Sequence, residues 1–177
     1  MQGDTKGKFV FFLTGASGVG KTTLVRALEQ SQLNKDWLFF HFDSIGVPSA
    51  SMMQLHYGSP SEWQKAKTFE WVDRLLSLET NQKIILEGQV NLQFIRDAFK
   101  RHDFNDYLII LIDCHELDMG SRLALQRQQP ELFTPDMKRW REYLRQQAKQ
   151  FQTDIIDTSQ LSPDEAVQAL ARIIDLI

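Results

Sequence analysis

The sequence predicts a three-layer α/β fold in which a mostly parallel, five-stranded sheet is covered by helices on both faces. Three observations predict it. Short runs rich in Val, Ile and Phe recur along the chain, longer segments with helical spacing separate them, and 42% apolar residues in 177 fill one core. The apolar runs carry no polar alternation, which suits strands buried on both faces. The length predicts a single domain over residues 1–177, without a linker, internal repeat or low-complexity tract.

Taken in order, the leader Met1–Lys8 is short and polar, unlike a secretory signal, and reads as flexible. Phe9–Leu13 is the first strand and Thr23–Gln32 the helix that follows its turn. Trp37–Phe42 is the second strand. Ser59-Pro60-Ser61-Glu62 then gives a capping Ser, a Pro at the first helical position and a Glu able to return a bond to the cap. The helix behind that cap carries Trp63, Phe69, Trp71, Leu75 and Leu78, which either pack on the core or floor a pocket. Lys83–Leu86 is the third strand, Asn91–Arg101 a helix and Tyr107–Ile112 the fourth strand. Thr134-Pro135-Asp136 starts a helix with Met137, Trp140, Leu144 and Phe151 on one stripe, flanked by Lys138, Arg139, Arg141, Arg145 and Lys149. Those cations read as a solvated face. Asp154–Ile156 is the fifth strand, and Ser162-Pro163-Asp164-Glu165 caps the final helix.

Between the first strand and first helix, Gly15-Ala16-Ser17-Gly18-Val19-Gly20-Lys21-Thr22 fits the pattern G-x-x-x-x-G-K-[ST]. Glycines let the backbone curl until successive N–H groups point at a phosphate, and the helix N-terminus behind them adds its positive end. Gly15 through Thr22, with Thr23, are therefore the nucleotide-binding residues. Lys21 reaches the β and γ phosphates, and the Thr22 hydroxyl coordinates Mg2+.

With this loop in place the chain resembles the P-loop small-molecule and nucleotide kinases, and among them the chloramphenicol phosphotransferase-like enzymes. Beyond the loop, the resemblance rests on Trp37-Leu38-Phe39-Phe40-His41-Phe42-Asp43-Ser44 and on Asp113-Cys114-His115 followed by Arg122 and Arg127. It implies a P-loop NTPase fold with a helical lid, placed at residues 116–134, and ATP and Mg2+ as cofactors. The segment Ile45–Glu79 departs from the pattern, so no acceptor is carried over.

Ligands of open α/β sheets bind along the carboxyl edge, where Asp43 and Glu87-Gly88-Gln89 fall. Asp43 either accepts the proton of an acceptor hydroxyl, the role the resemblance implies, or caps the next turn with Ser44. Glu87 either orders Mg2+ beside Thr22 or caps the following helix. Gln89 is a candidate for holding the acceptor. Arg122 and Arg127, in the lid, match the spread charge of a transferring phosphoryl group with their planar forks, or are solvated surface. Asp157-Thr158-Ser159 either meets adenine or only turns into the last helix. His41 has no partner at metal-ligand spacing and reads as structural, and Cys114 reads as a small buried residue.

Twenty Lys plus Arg against 23 Asp plus Glu, net −3, exclude a surface built to wrap nucleic acid. No apolar run approaches the roughly 18 residues of a membrane span, and one cysteine forms no intrachain disulfide, so a cytoplasmic setting is expected. The sequence leaves three readings: a kinase acting on a small-molecule hydroxyl, a nucleotide kinase, and a nucleotide-binding switch or accessory NTPase. No Arg lies between Arg26 and Arg74 to hold an acceptor phosphate, although Lys65 and Lys67 do, which favours the first.

Overall fold

The computed structural model describes residues 7–31 and 36–175, with the side chain of Asp175 left aside. Residues 1–6 of the expected leader, and Gln32 at the expected end of the first helix, lie outside the described residues. Strands β1 (Phe9–Thr14), β2 (Leu38–His41), β3 (Lys83–Gly88), β4 (Tyr107–Asp113) and β5 (Asp154–Asp157) alternate with α1 (Lys21–Gln30), α2 (Ala50–Tyr57), α3 (Pro60–Ser77), α4 (Leu92–Arg101), α5 (Glu116–Ser121), α6 (Pro135–Gln150) and α7 (Pro163–Asp175). Among the described residues the strands form one parallel sheet in the order β2-β3-β1-β4-β5. From β1 the chain passes to the edge strand β2, returns to β3 beside β1, and then crosses to β4 and β5 on the other side. That reversal leaves a crevice beyond the carboxyl end of β1, where the phosphate-binding pattern sits.

Period-two geometry divides each central strand between two cores. Val10 and Phe12, Ile84 and Leu86, and Ile109 and Leu111 meet α3, α4 and α6 through Trp71, Leu75, Phe99 and Leu144. Phe11 and Leu13, Ile85, and Ile110 and Ile112 face α1 and α7 through Leu24, Leu28, Val167 and Leu170. This is why the apolar runs are continuous.

The expectation of five buried strands fails at the sheet's edges. All four residues of β2 are only partly covered, and in β5 only Ile156 is buried, because an edge strand has one neighbour and less helix above it. The second strand also ends one residue early, since Phe42–Ile45 winds into a short 3-10 turn. Lys8 is no part of a loose leader: its ammonium donates to the Leu75 and Leu76 carbonyls at 3.2 and 2.7 Å, at the C-terminus of α3.

The cap signals locate the helix starts. Ser59 Oγ accepts from the Glu62 N–H, Thr134 Oγ1 from Met137, and Ser162 Oγ from Glu165, whose carboxylate bonds back to the Ser162 N–H at 2.8 Å. Asn91 caps α4 with its own side chain, which leaves Glu87 without that duty.

Candidate active site

The turn between β1 and α1 curls through Gly18 and Gly20, whose φ values of 84° and 100° lie in the region that favours glycine. A Cβ on Gly18 would come within 2.8 Å of Leu123 Cγ, so the loop also needs glycine to pack. Gly20 precedes the first residue of α1 and supplies no side-chain cap, and the first turn of α1 contains no acidic residue. Helix starts ordinarily cap their N–H groups or meet them with a carboxylate. This one has neither, which leaves its positive end open.

That end opens on a cavity of about 240 Å³ lined by Gly18, Gly20, Lys21, Thr22, Thr23, Arg26, Arg122, Gln126 and Arg127. Beside it, a cleft of about 160 Å³ is lined by Gly20, Thr23, Leu24, Arg122, Gln126, Thr158, Leu161, Ser162, Pro163 and Ala166. The first is polar and cationic. The second brings the Thr158 turn, a candidate for meeting adenine, against apolar side chains.

Lys21 is not the solvent-facing charge its place in a surface loop suggests: it is 8% exposed, and its ammonium donates to the Ala16 carbonyl at 2.9 Å. Burial pushes its pKa down to about 8, against the opposing pull of Glu87 and Asp43. The Thr22 hydroxyl donates to Glu87 Oε1 at 3.3 Å, and His41 Nδ1 lies 2.8 Å from the same oxygen. His41, which reads from the sequence as structural, thus reaches the Thr22–Glu87 pair. Register explains this, because His41 and Glu87 are paired residues of adjacent strands.

Asp43 stands on the 3-10 turn after β2 and is exposed. Partial loss of solvent and then the Glu87 charge raise its carboxyl above the usual range, while Lys21, Arg127 and His41 pull it back. The position of the turn is fixed by Trp71, whose indole donates to the Phe42 carbonyl at 3.0 Å, and by Gly88, where any Cβ would overlap the Phe42 side chain. Gln89 is drawn to the phosphate loop: its Oε1 accepts from the Ser17 hydroxyl at 3.1 Å, and its carbonyl accepts from Gln64 Nε2 at 2.9 Å.

The two arginines placed in the lid part company. Arg127 is exposed, and its charge acts on both Lys21 and Asp43. Arg122 lines the same cavity as Arg127, but its guanidinium is bonded to the protein: it donates to the Val19 carbonyl at 3.2 Å, to Thr158 Oγ1 at 2.8 Å and to the Thr158 carbonyl at 2.7 Å. Of the segment 116–134, Met119 and Leu123 are fully buried in the core shared with α1 and α7, which anchors its first half. Cys114 is buried, and burial raises its thiol pKa to about 11.

The reading of the α6 cations as a solvated face fails at Arg141. It is buried and pairs with Asp113 at the end of β4, Nε to Oδ1 at 2.8 Å and Nη2 to Oδ2 at 3.3 Å, while Arg145 Nε lies 3.3 Å from the same carboxylate. A signal was present, because Arg141 falls four residues after Met137 and three before Leu144, on the inward stripe. The amides of Gln64, Asn91 and Gln147 carried no such signal. Gln64 Oε1 accepts from the Asn91 N–H, Gln147 donates to Asn91 Oδ1 and accepts from the Leu92 N–H, and the Tyr143 hydroxyl accepts from both Asn91 and Gln147. This network fixes the loop after β3.

No family model matches the chain, and no curated protein sequence does either. Solved structures do match over nearly the whole length. Shikimate kinase from Acinetobacter baumannii in complex with shikimate superposes with a TM-score of 0.64 at 14% identity, over 97% of this chain and 95% of that one. The chain has the fold of the P-loop kinases. The Deinococcus radiodurans tunicamycin resistance protein gives 0.63 at 17% identity, over 94% and 95% of the two chains. Deoxyadenosine kinase from M. mycoides gives 0.63 at 11%, over 96% of this chain and all of the other. The fold is thus similar over nearly the whole length at 11–17% sequence identity. Among the described residues, no helix is long and apolar enough to cross a membrane, and no group of three or more His, Cys, Asp or Glu gathers to hold a metal.

Proposed function

We propose that the protein is an ATP- and Mg2+-dependent kinase that phosphorylates a hydroxyl of a small molecule. The observation that carries this reading is the place of Asp43 on the turn directly after β2, beside the strand that carries Glu87 and within electrostatic reach of Lys21, Arg127 and Glu87. The likeness to small-molecule and nucleoside kinases supports it.

The uncapped start of α1 and the N–H groups of residues 15–23 bind the phosphates. Lys21 sets its ammonium against the β and γ oxygens, and Arg127 approaches from the open side to match the charge that spreads over the transferring group. The donor set of Thr22 and Glu87, one hydroxyl and one carboxylate, suits Mg2+, which keeps most of its waters and takes few protein ligands. Bound there, the metal supplies neutralisation of phosphate oxygens. Asp43 orients the acceptor and takes its proton: the acceptor O–H bond breaks toward the carboxylate, the oxygen bonds to phosphorus, and the bond to the nucleoside diphosphate oxygen breaks. A carboxylate of raised pKa is the better base, provided it stays ionised.

A hydroxyl acceptor is favoured over an acceptor phosphate because no Arg lies between Arg26 and Arg74, and Lys67, one of the cations available there beside Lys65, is bonded to Glu70 at 2.7 Å. Asp43→Asn tests the reading at saturating acceptor, with ATP affinity measured separately. Transfer should fall by roughly 10²- to 10⁴-fold while ATP binding holds. Undiminished transfer to a nucleoside monophosphate would move the protein to the nucleotide kinases, whose acceptor is already ionised.

A further inference from the structure

The peptide linking Val19 to Gly20 is held from outside the phosphate loop. Its carbonyl accepts two bonds, from Thr158 Oγ1 at 2.7 Å and from Arg122 Nη1 at 3.2 Å. Thr158 is 5% exposed and tied in turn to the end of β4, its N–H donating to the Asp113 carbonyl at 2.8 Å. Arg122 closes the arrangement by donating to both the hydroxyl and the carbonyl of Thr158. The chain contains no cis peptide among the described residues, so the C=O and N–H of this peptide point in opposite directions. With the Val19 carbonyl drawn toward Thr158 and Arg122, the Gly20 N–H is turned to the other side of the loop. Gly20 lines both the phosphate cavity and the neighbouring cleft, and its φ of 100° belongs to the region only glycine enters easily.

Glycine's freedom has a cost here. Gly18 precedes the peptide and Gly20 supplies its N–H, both at positive φ, and such residues visit many conformations that present no donor to an anion. A curled loop of this kind binds phosphate in proportion to the fraction of time its N–H groups converge. We infer that Thr158 and Arg122 are positioning residues which clamp the Val19–Gly20 peptide with its N–H toward the phosphates. They act through the loop without touching the transferred group, and they tie it to the cleft that Thr158 lines. The inference rests on the nucleotide-binding part of the reading above. It reassigns Arg122 from the phosphoryl group to the loop beneath it.

The experiment compares Thr158→Val, which keeps the shape and removes the hydroxyl, with Thr158→Ser, which keeps the hydroxyl, and with Arg122→Gln. Each is measured for Mg-ATP-analogue affinity by calorimetry, for thermal stability without nucleotide, and for nucleotide KM against kcat. Thr158→Val should weaken the analogue by about tenfold or more, comparable to one lost buried hydrogen bond, with the loss in KM exceeding that in kcat. Thr158→Ser should restore most of the affinity. Arg122→Gln should weaken binding too, and the two losses should fall short of adding, since both residues hold one carbonyl. Wild-type affinity in Thr158→Val, equal losses in Val and Ser, or full additivity would each overturn the clamp, and matched thermal stabilities would show that a binding loss is not unfolding. A wild-type protein that binds the analogue but transfers to no hydroxyl refutes the kinase reading while leaving the clamp to be judged on binding. One that fails to bind the analogue overturns both.

Discussion

Replacing Lys21 by Met should stabilise the free protein while destroying nucleotide binding. The ammonium is 8% exposed, and its pKa drops from 10.5 to about 8, because burial outweighs the attraction of Glu87 and Asp43. At about 1.36 kcal/mol per pKa unit, holding that charge in place at neutral pH costs roughly 3 kcal/mol relative to a neutral side chain. The Ala16 carbonyl loses a bond worth about 1–1.5 kcal/mol when Lys21 is removed. Lys21→Met should therefore gain about 1–2 kcal/mol, several degrees in Tm for a domain of this size. The sign with pH follows from proton counting. Between pH 8 and 10.5 the unfolded chain binds more protons at this site than the folded one, so wild-type stability rises with pH as Lys21 deprotonates, and the advantage of Met shrinks. Cys114, with its pKa raised to about 11, makes the opposite contribution from about pH 8 upward. It is present in both proteins and cancels in their difference, so the step from pH 8 to 9 in that difference is worth about 1 kcal/mol. Urea unfolding of both proteins at pH 7, 8 and 9, with ATP titrations alongside, reads both effects. In wild type, kcat/KM for ATP should decline above pH 8. A destabilised Lys21→Met, or one that binds ATP as wild type does, would refute the account of a buried charge held for an anionic ligand.

Gly88→Ala forces Phe42 aside and should cost about 1–3 kcal/mol in chemical denaturation. Because the turn carrying Asp43 moves with Phe42, transfer should fall by more than the loss of folded protein accounts for. Asp113→Asn leaves Arg141 buried without its countercharge and should destabilise the fold by about 3–5 kcal/mol, measured the same way. A change below 1 kcal/mol would show that Arg141 escapes to solvent.

The sequence by itself determined the layers, the helix starts and the phosphate loop. These are local matters: period-two and 3.6 patterns, Ser-Pro and Thr-Pro caps, and a Gly-rich turn whose chemistry follows from contiguous residues. The tertiary structure decided what depends on neighbours remote in the chain. Only strand register sets His41 beside Glu87, 46 positions away. Only sheet order makes β2 and β5 edges, so runs that read as buried are half exposed. Arg122 and Arg127 look equivalent in sequence, but a packed segment through Met119 and Leu123 carries Arg122 to Thr158 and leaves Arg127 exposed on the cavity that Lys21 lines. A side chain's partner is set by where the backbone places groups dozens of residues apart, and residue type alone does not carry that information.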